Sequence, residues 1–310
     1  MALYLASEGL SWDAAIAEFN NYQRAANLAE KTIANREACY RHLANRSGKR
    51  PQEITLQDLQ AHLGRPHPRT GARLAQGTLQ SERSYLQTFY GWLRDEGYLH
   101  ASPADRLHKI KMVRRAPRPL RMDQIEKMLD SGAYTRTRDI IIIAALTGLR
   151  VGEIVRLRGE DIDLEGMVVQ SRRKGGLEHR IAVPPTLLPV LARYPRQGWL
   201  FPSPYPSKLF PNGGGHILMQ SASDSISRAL RKAGVTDRNI TGHSLRHFCA
   251  TWMLKQGVPI RVIQEHLGHA SLATTQLYTQ VDEDDMQQAV SVMPVIDARK
   301  QSARRGRLAA

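Results

Sequence analysis

Apolar residues recur every three or four positions through the first hundred residues, the period of a helix with one buried face. Ser11-Trp12-Asp13 reads as a helix start, and Ala15, Ile16, Phe19 and Tyr22 follow at helical spacing. A second helix is predicted from about Glu30 to Asn45. A third opens at Thr55-Leu56-Gln57-Asp58, with Leu56, Leu59 and Leu63 as its stripe. A fourth runs from about Thr78 to Glu96, turning Leu79, Tyr85, Leu86, Phe89, Tyr90 and Leu93 toward a core. Four helices with short connections make a compact bundle.

Beyond residue 120 the period changes. Met122 to Leu129 and Arg138 to Leu146 are helical patterns, and the apolar run Ile140 to Leu146 reads as a buried core helix. Met167 to Gln170 and Arg180 to Val183 alternate like short paired strands around the basic segment Arg172 to Gly176. Helices return near 187–193, 223–233, 243–256, 260–266 and 274–281. The expected fold is therefore mainly α with a small β-sheet. Gly213-Gly214-Gly215 lacks the GK[ST] ending of a phosphate cradle and reads as a flexible connection.

Two basic stretches punctuate this pattern. Gly64 to Arg73 is rich in breakers and suits either a solvated connection or a phosphate-contacting loop. Lys109 to Pro119 carries Lys109, Lys111, Arg114, Arg115 and Arg118 with two prolines, which disfavour a helix. It reads as an extended linker at 109–119, between a helical domain at 1–108 and a second domain at 120–292. A polar, basic tail follows at 293–310.

Charge sharpens the functional reading. A formal net charge of +15 on 310 residues suits a polyanion, because neutralising phosphates releases counterions. Cys39 and Cys249 are the only cysteines, too few and too far apart for a disulfide framework. No segment reads as a signal peptide or a membrane span, so a cytoplasmic, reduced setting is expected.

Several reactive side chains interrupt the apolar pattern. Arg150 lies between two helices with Glu153 as a natural ion-pair partner. His243 and Arg246 share a helix face, in a helix apolar enough to be substantially buried. A buried guanidinium calls for a neutralising anion or acid. His266 and His269 have zinc-like spacing but lack a nearby third ligand. Tyr278 alone is an ordinary helical tyrosine. It becomes a nucleophile only if cations hold a phosphate in line with its oxygen.

Four segments occur together: Thr147-Gly148-Leu149-Arg150-Val151-Gly152-Glu153, His243-Ser244-Leu245-Arg246-His247, Leu267-Gly268-His269 and Thr274-Thr275-Gln276-Leu277-Tyr278. In this order and spacing they resemble the tyrosine recombinases, the phage integrase-type site-specific recombinases. The likeness spans about 120–289, and the N-terminal bundle resembles the family's core-DNA-binding domain. The resemblance implies an α+β catalytic domain in which Arg150 and Arg246 clamp the scissile phosphate. Tyr278 would then form a 3′-phosphotyrosine, and Lys174 would protonate the 5′-oxygen. His243 would act as base and donor, and His269 would donate to the phosphate. Arg172 and Arg173 are alternatives to Lys174, and Gly242 stands where the family often has proline.

No cofactor follows from the resemblance, neither ATP nor a metal ion. The implied partners are double-stranded DNA core sites, a tetramer of this chain on two sites and accessory DNA-bending or directionality factors. The ending Leu308-Ala309-Ala310 resembles a tag for ATP-dependent proteases. About ten residues precede the first helix, so no arm-site-binding domain of the kind many phage integrases carry is expected. The expected function is site-specific recombination, as an integrase of a phage or other mobile element, through a Holliday junction. The rivals are a type IB topoisomerase and a non-catalytic DNA-binding regulator.

Overall fold

A computed structural model describes residues 9–111, 118–172, 178–237 and 239–268. The chain forms two compact units, Met1–Arg114 and Arg115–Ala310.

The first unit contains helices α1 (Trp12–Ala25), α2 (Glu30–Ser47), α3 (Leu56–Leu63) and α4 (Gln76–Asp95). Each begins or ends for a local reason. Ser11 caps α1 by accepting from the Ala14 N–H at 3.2 Å. Thr55 and Asp58 form a reciprocal capping box on α3. Helix α2 stops at Gly48, whose φ of 62° is left-handed.

The bundle's core is aromatic. The Phe89 ring lies 4.4 Å from Tyr40 and 5.4 Å from Phe19, so α1, α2 and α4 meet on it. Tyr22, expected in the helical stripe, is instead 54% exposed. Its hydroxyl end lets the ring sit at the rim, stacked on Phe19 rather than inside.

The basic loop after α3 is an ordered turn. His67 N–H donates to the Ala72 carbonyl at 2.7 Å, and Pro66 bridges Arg73. Arg69 and Arg73 are exposed, whereas Arg65 is turned inward and buried. Only part of the expected basic surface of this loop therefore faces solvent.

The second unit contains α5 (Met122–Leu129), α6 (Thr135–Thr147), the single turn α7 (Val151–Ile154), strands β1 (Ile162–Asp163), β2 (Val168–Arg172) and β3 (Glu178–Ala182), then α8 (Leu188–Leu191), α9 (Met219–Lys232), α10 (His243–Lys255) and α11 (Ile260–Leu267). The sheet is antiparallel in the order β1-β2-β3. The sequence pattern pointed to β2 and β3 but not to β1, whose two residues are too short to show a period. Val169 pairs with Ile181, and both are buried on the face toward the core. Helix α6 is the core's centre, with Ile140, Ile141, Ile143 and Ala144 at 1% exposure or less. It is apolar nearly all round because neighbours cover it on most sides.

The glycine loop near 213–215 is pinned by its backbone. Trp199 donates to the Gly214 carbonyl at 3.0 Å, and Ser203 N–H donates to that of Gly215 at 2.8 Å. At the end of the segment read as a linker, Arg118 pairs with Asp237. Among the described residues, no helix is long and apolar enough to cross a membrane.

Candidate active site

The site is assembled where helices end. Helix α6 stops at Thr147, whose hydroxyl donates to the Ile143 carbonyl at 2.6 Å and accepts from the Leu149 N–H at 3.1 Å. Gly148 follows with φ 68°. A Cβ there would stand 2.3 Å from Leu267 Cδ2, so both the conformation and the space demand glycine. This turn delivers Arg150 to the start of α7.

Arg150 is held by Glu153. The carboxylate accepts from the Arg150 N–H and from its Nη1, each at 2.8 Å. The Glu153 side chain is 6% exposed and that of Arg150 is 44% exposed. The buried acid thus orients a guanidinium whose outer part reaches solvent, matching the ion-pair partner expected from the sequence.

Arg246 is arranged differently. It is 1% exposed. Its Nη1 donates to the Gly148 carbonyl and its Nη2 to the Leu267 carbonyl, each at 2.6 Å. These carbonyls lie at the C-terminal ends of α6 and α11, the partially negative ends of the helix dipoles. The sequence suggested an acid or a bound anion as the reason a guanidinium could be buried here. Two helix ends supply part of that compensation.

His243 opens α10 and is exposed. Its pKa is pulled below the ordinary imidazole value by desolvation first, then by the positive charges of Arg246 and Arg150, with Glu153 opposing. His243 is therefore within electrostatic reach of both Arg150 and Arg246. The ring of His247 lies 4.8 Å from that of His243, and burial, then the charges of His243 and Arg246, pull its pKa down to about 4.

His266 joins this group from α11. It hydrogen-bonds the Thr147 main chain, and burial depresses its pKa, with His179 and Arg246 adding to the effect. The sequence drew attention to it only as a zinc ligand with His269. Its packing between the α6 end and Arg246 was not visible in spacing. His179 on β3 was missed altogether. Its Nε2 lies 2.8 Å from the Glu265 carbonyl, tying the β2–β3 hairpin to α11.

The last rung of that hairpin pairs Arg172 with Glu178. Lys174, Arg173, His269 and Tyr278 lie outside the described residues, as do the expected helix at 274–281 and the tail. The structure thus brings together three of the six candidate residues: Arg150, His243 and Arg246.

Comparison with known proteins gives this arrangement its class. Residues 118–285 match the phage integrase family. The chain is 34% identical to the tyrosine recombinase XerA of Pyrococcus furiosus over 220 residues, covering 69% of this chain and 74% of that one. It is 32% identical to XerD of Listeria innocua over 204 residues, covering 63% and 69% respectively. Two solved structures share its fold. One is a lambda integrase dimer bound to a COC′ core site, with a TM-score of 0.68 and 18% identity, covering 96% of this chain and 83% of that one. The other is XerH bound to a palindromic difH substrate, with a TM-score of 0.68 and 20% identity, covering 94% and 87%. The chain belongs to the tyrosine recombinases of the phage integrase family, enzymes of site-specific recombination that break and rejoin DNA strands.

Proposed function

We propose that this recombinase cleaves double-stranded core sites through a 3′-phosphotyrosine at Tyr278. The observation that carries the reading is the meeting of Arg150, His243 and Arg246 at the ends of α6, α10 and α11. Fixed cations beside a neutral imidazole suit a phosphodiester whose negative charge grows during attack.

In this reading the Tyr278 oxygen forms a bond to phosphorus as the bond to the 5′-oxygen breaks. Arg150 and Arg246 hold the non-bridging oxygens. His243, kept neutral, accepts the phenolic proton or donates a hydrogen bond. Lys174 protonates the departing 5′-hydroxyl, with Arg172 and Arg173 as alternatives, and His269 donates to the phosphate. Attack by a 5′-hydroxyl from the partner site reverses the steps and joins the strands. Two such exchanges pass through a Holliday junction, with four protomers on two sites. The phosphotyrosine keeps the energy of the phosphodiester, so the cycle runs without ATP.

The helical unit at 1–108 would grip the core site and the catalytic unit at 120–292 would cut it, with 109–119 between them. A phage or other mobile element is the setting proposed for this integrase, in the cytoplasm or nucleoid of its host. DNA-bending or directionality factors would set the outcome. Leu308, Ala309 and Ala310 would limit its lifetime, and replacing both alanines with aspartate should lengthen the cellular half-life.

The test is a nicked core-site substrate that traps the cleaved state. Wild type should accumulate a covalent protein–DNA adduct, and Tyr278→Phe should abolish it. No adduct in wild type would point to a DNA-binding regulator. Relaxation of supercoils without joining of two sites would point to a topoisomerase.

A further inference from the structure

The first unit holds a group of side chains that the recombination chemistry does not use. Cys39 on α2, His62 on α3 and Glu82 on α4 converge, with one ligand atom from each lying within 4.8 Å of the others. His62 Nε2 is 3.4 Å from Glu82 Oε2 and 3.9 Å from Cys39 Sγ. Zinc bonds of about 2.0–2.3 Å at tetrahedral angles place ligand atoms about 3.3–3.6 Å apart. The nitrogen–oxygen pair already has that spacing, and the sulfur needs only a small side-chain rotation to reach it.

Three further observations point to an ion. His62 is 1% exposed, yet its Nδ1 has no hydrogen-bond partner and its Nε2 has only these long contacts. An imidazole this buried and this poorly satisfied calls for a bound water or ion. His42 lies one helical turn from Cys39 on α2, and its ring centroid is 5.3 Å from that of His62, which offers a fourth ligand. An open cleft of about 610 Å³, lined by Cys39, His42, Arg65 and Glu82 among others, gives an ion a way in.

Arg65 is the competing feature. It donates from Nη2 to Glu82 Oε1 at 2.6 Å and from Nη1 to Oε2 at 2.7 Å. Its Nη1 also donates to the His62 carbonyl at 2.7 Å. Oε2 could therefore turn to a metal while Arg65 keeps a bond from each terminal nitrogen.

We propose that Cys39, His62 and Glu82, with His42 as fourth ligand, bind a thiophilic divalent cation of the zinc type that clamps α2, α3 and α4 together. The clamp sits at the base of the basic loop 64–73, and its role is to brace this corner of the unit.

Binding must release a proton, because the thiolate and not the thiol ligates the ion.

Cobalt(II) tests the proposal on the full chain after exhaustive chelation. One equivalent should bind with a thiolate-to-cobalt charge-transfer band, and zinc should displace it. The band should vanish in Cys39→Ala and persist in Cys249→Ala. His62→Gln is the second variant, with circular dichroism confirming that both variants fold. It should weaken binding by at least about tenfold, the scale of a lost ligand contact. Absence of a thiolate band in folded wild type, or a band unchanged in Cys39→Ala, overturns the proposal.

Discussion

Two buried arginines, one in each unit, show how the same side chain is put to different uses. Arg65 faces a carboxylate, Glu82, with a bond from each terminal nitrogen. A full negative charge answers a full positive one, and the pair is a structural joint between the loop after α3 and helix α4. Arg246 has its described bonds to two carbonyls at helix ends. Carbonyls carry partial charges, so these two bonds fix the guanidinium in place without neutralising it. Arg150 lies between the two cases: its partner acid is buried while its own side chain remains exposed. Pairing with an acid makes a buried cation a joint. Anchoring on helix-end carbonyls fixes where a guanidinium points through partial charges.

The sharpest way to break this contrast is Arg246→Met. Removing a preorganised cation from a phosphate site should slow core-site cleavage by at least about a hundredfold. Losing two hydrogen bonds to a charged group should lower stability by about 3 kcal/mol. Single-turnover cleavage and urea melts measure the two effects. Arg246→Lys should rescue little, because one ammonium cannot span carbonyls that a guanidinium fork reaches together. Full cleavage by either variant would remove Arg246 from the site.

Glu82→Gln tests the other side. It strands Arg65 against a neutral amide in a buried place and should cost about 3 kcal/mol. If Arg65 is only a joint, the apolar pair Arg65→Met with Glu82→Leu should recover most of that loss. The same joint should fail in acid. Burial raises the Glu82 pKa, but hydrogen bonds from His62 and Arg65, with their charges, outweigh it and bring the carboxyl down to about 2. A depressed carboxylate contributes stability above its unfolded pKa and loses it as the pH falls. The unit should therefore weaken progressively from about pH 4.5 toward about pH 2, and acid titration of wild type against the apolar pair reads the difference.

Gly148→Ala should cost about 2 kcal/mol, from a strained left-handed φ and from the displaced Leu267 side chain. Because the Gly148 carbonyl holds Arg246, cleavage should slow as well. The smallest effect concerns His243. Its lowered pKa keeps it neutral at neutral pH, so cleavage should fall only as the pH drops below the ordinary imidazole range. Arg150→Gln removes one of the charges opposing protonation. It should move the acid limb of the pH–rate profile upward, and an unmoved limb would separate Arg150 from His243.

Much of the fold was legible in the pattern of residues. Helices α1 to α4, the hairpin of β2 and β3, and the buried α6 all follow from short-range periodicity. Tyr22 shows where that reading stops: helical spacing puts a side chain on a face, but not under a neighbour. Strand β1 was too short to leave a period. The site was legible as motifs, and Glu153 as the partner of Arg150 could be read from a three-residue spacing. His179 and His266 could not, since their partners lie in other elements. The cysteine count pointed away from metal because it weighed cysteine spacing, whereas the candidate clamp draws its ligands from three helices.

By itself the sequence determined the mainly helical class, the candidate catalytic set and the family, because local periodicity and ordered motifs are properties of neighbouring residues. Tertiary structure alone decided which arginine meets an acid and which meets helix ends. Arg246 and Gly148 stand 98 residues apart, and Cys39 and His62 stand 23 apart. Contacts across such separations form only when packed helices bring them together, and their chemistry depends on how much water that packing excludes.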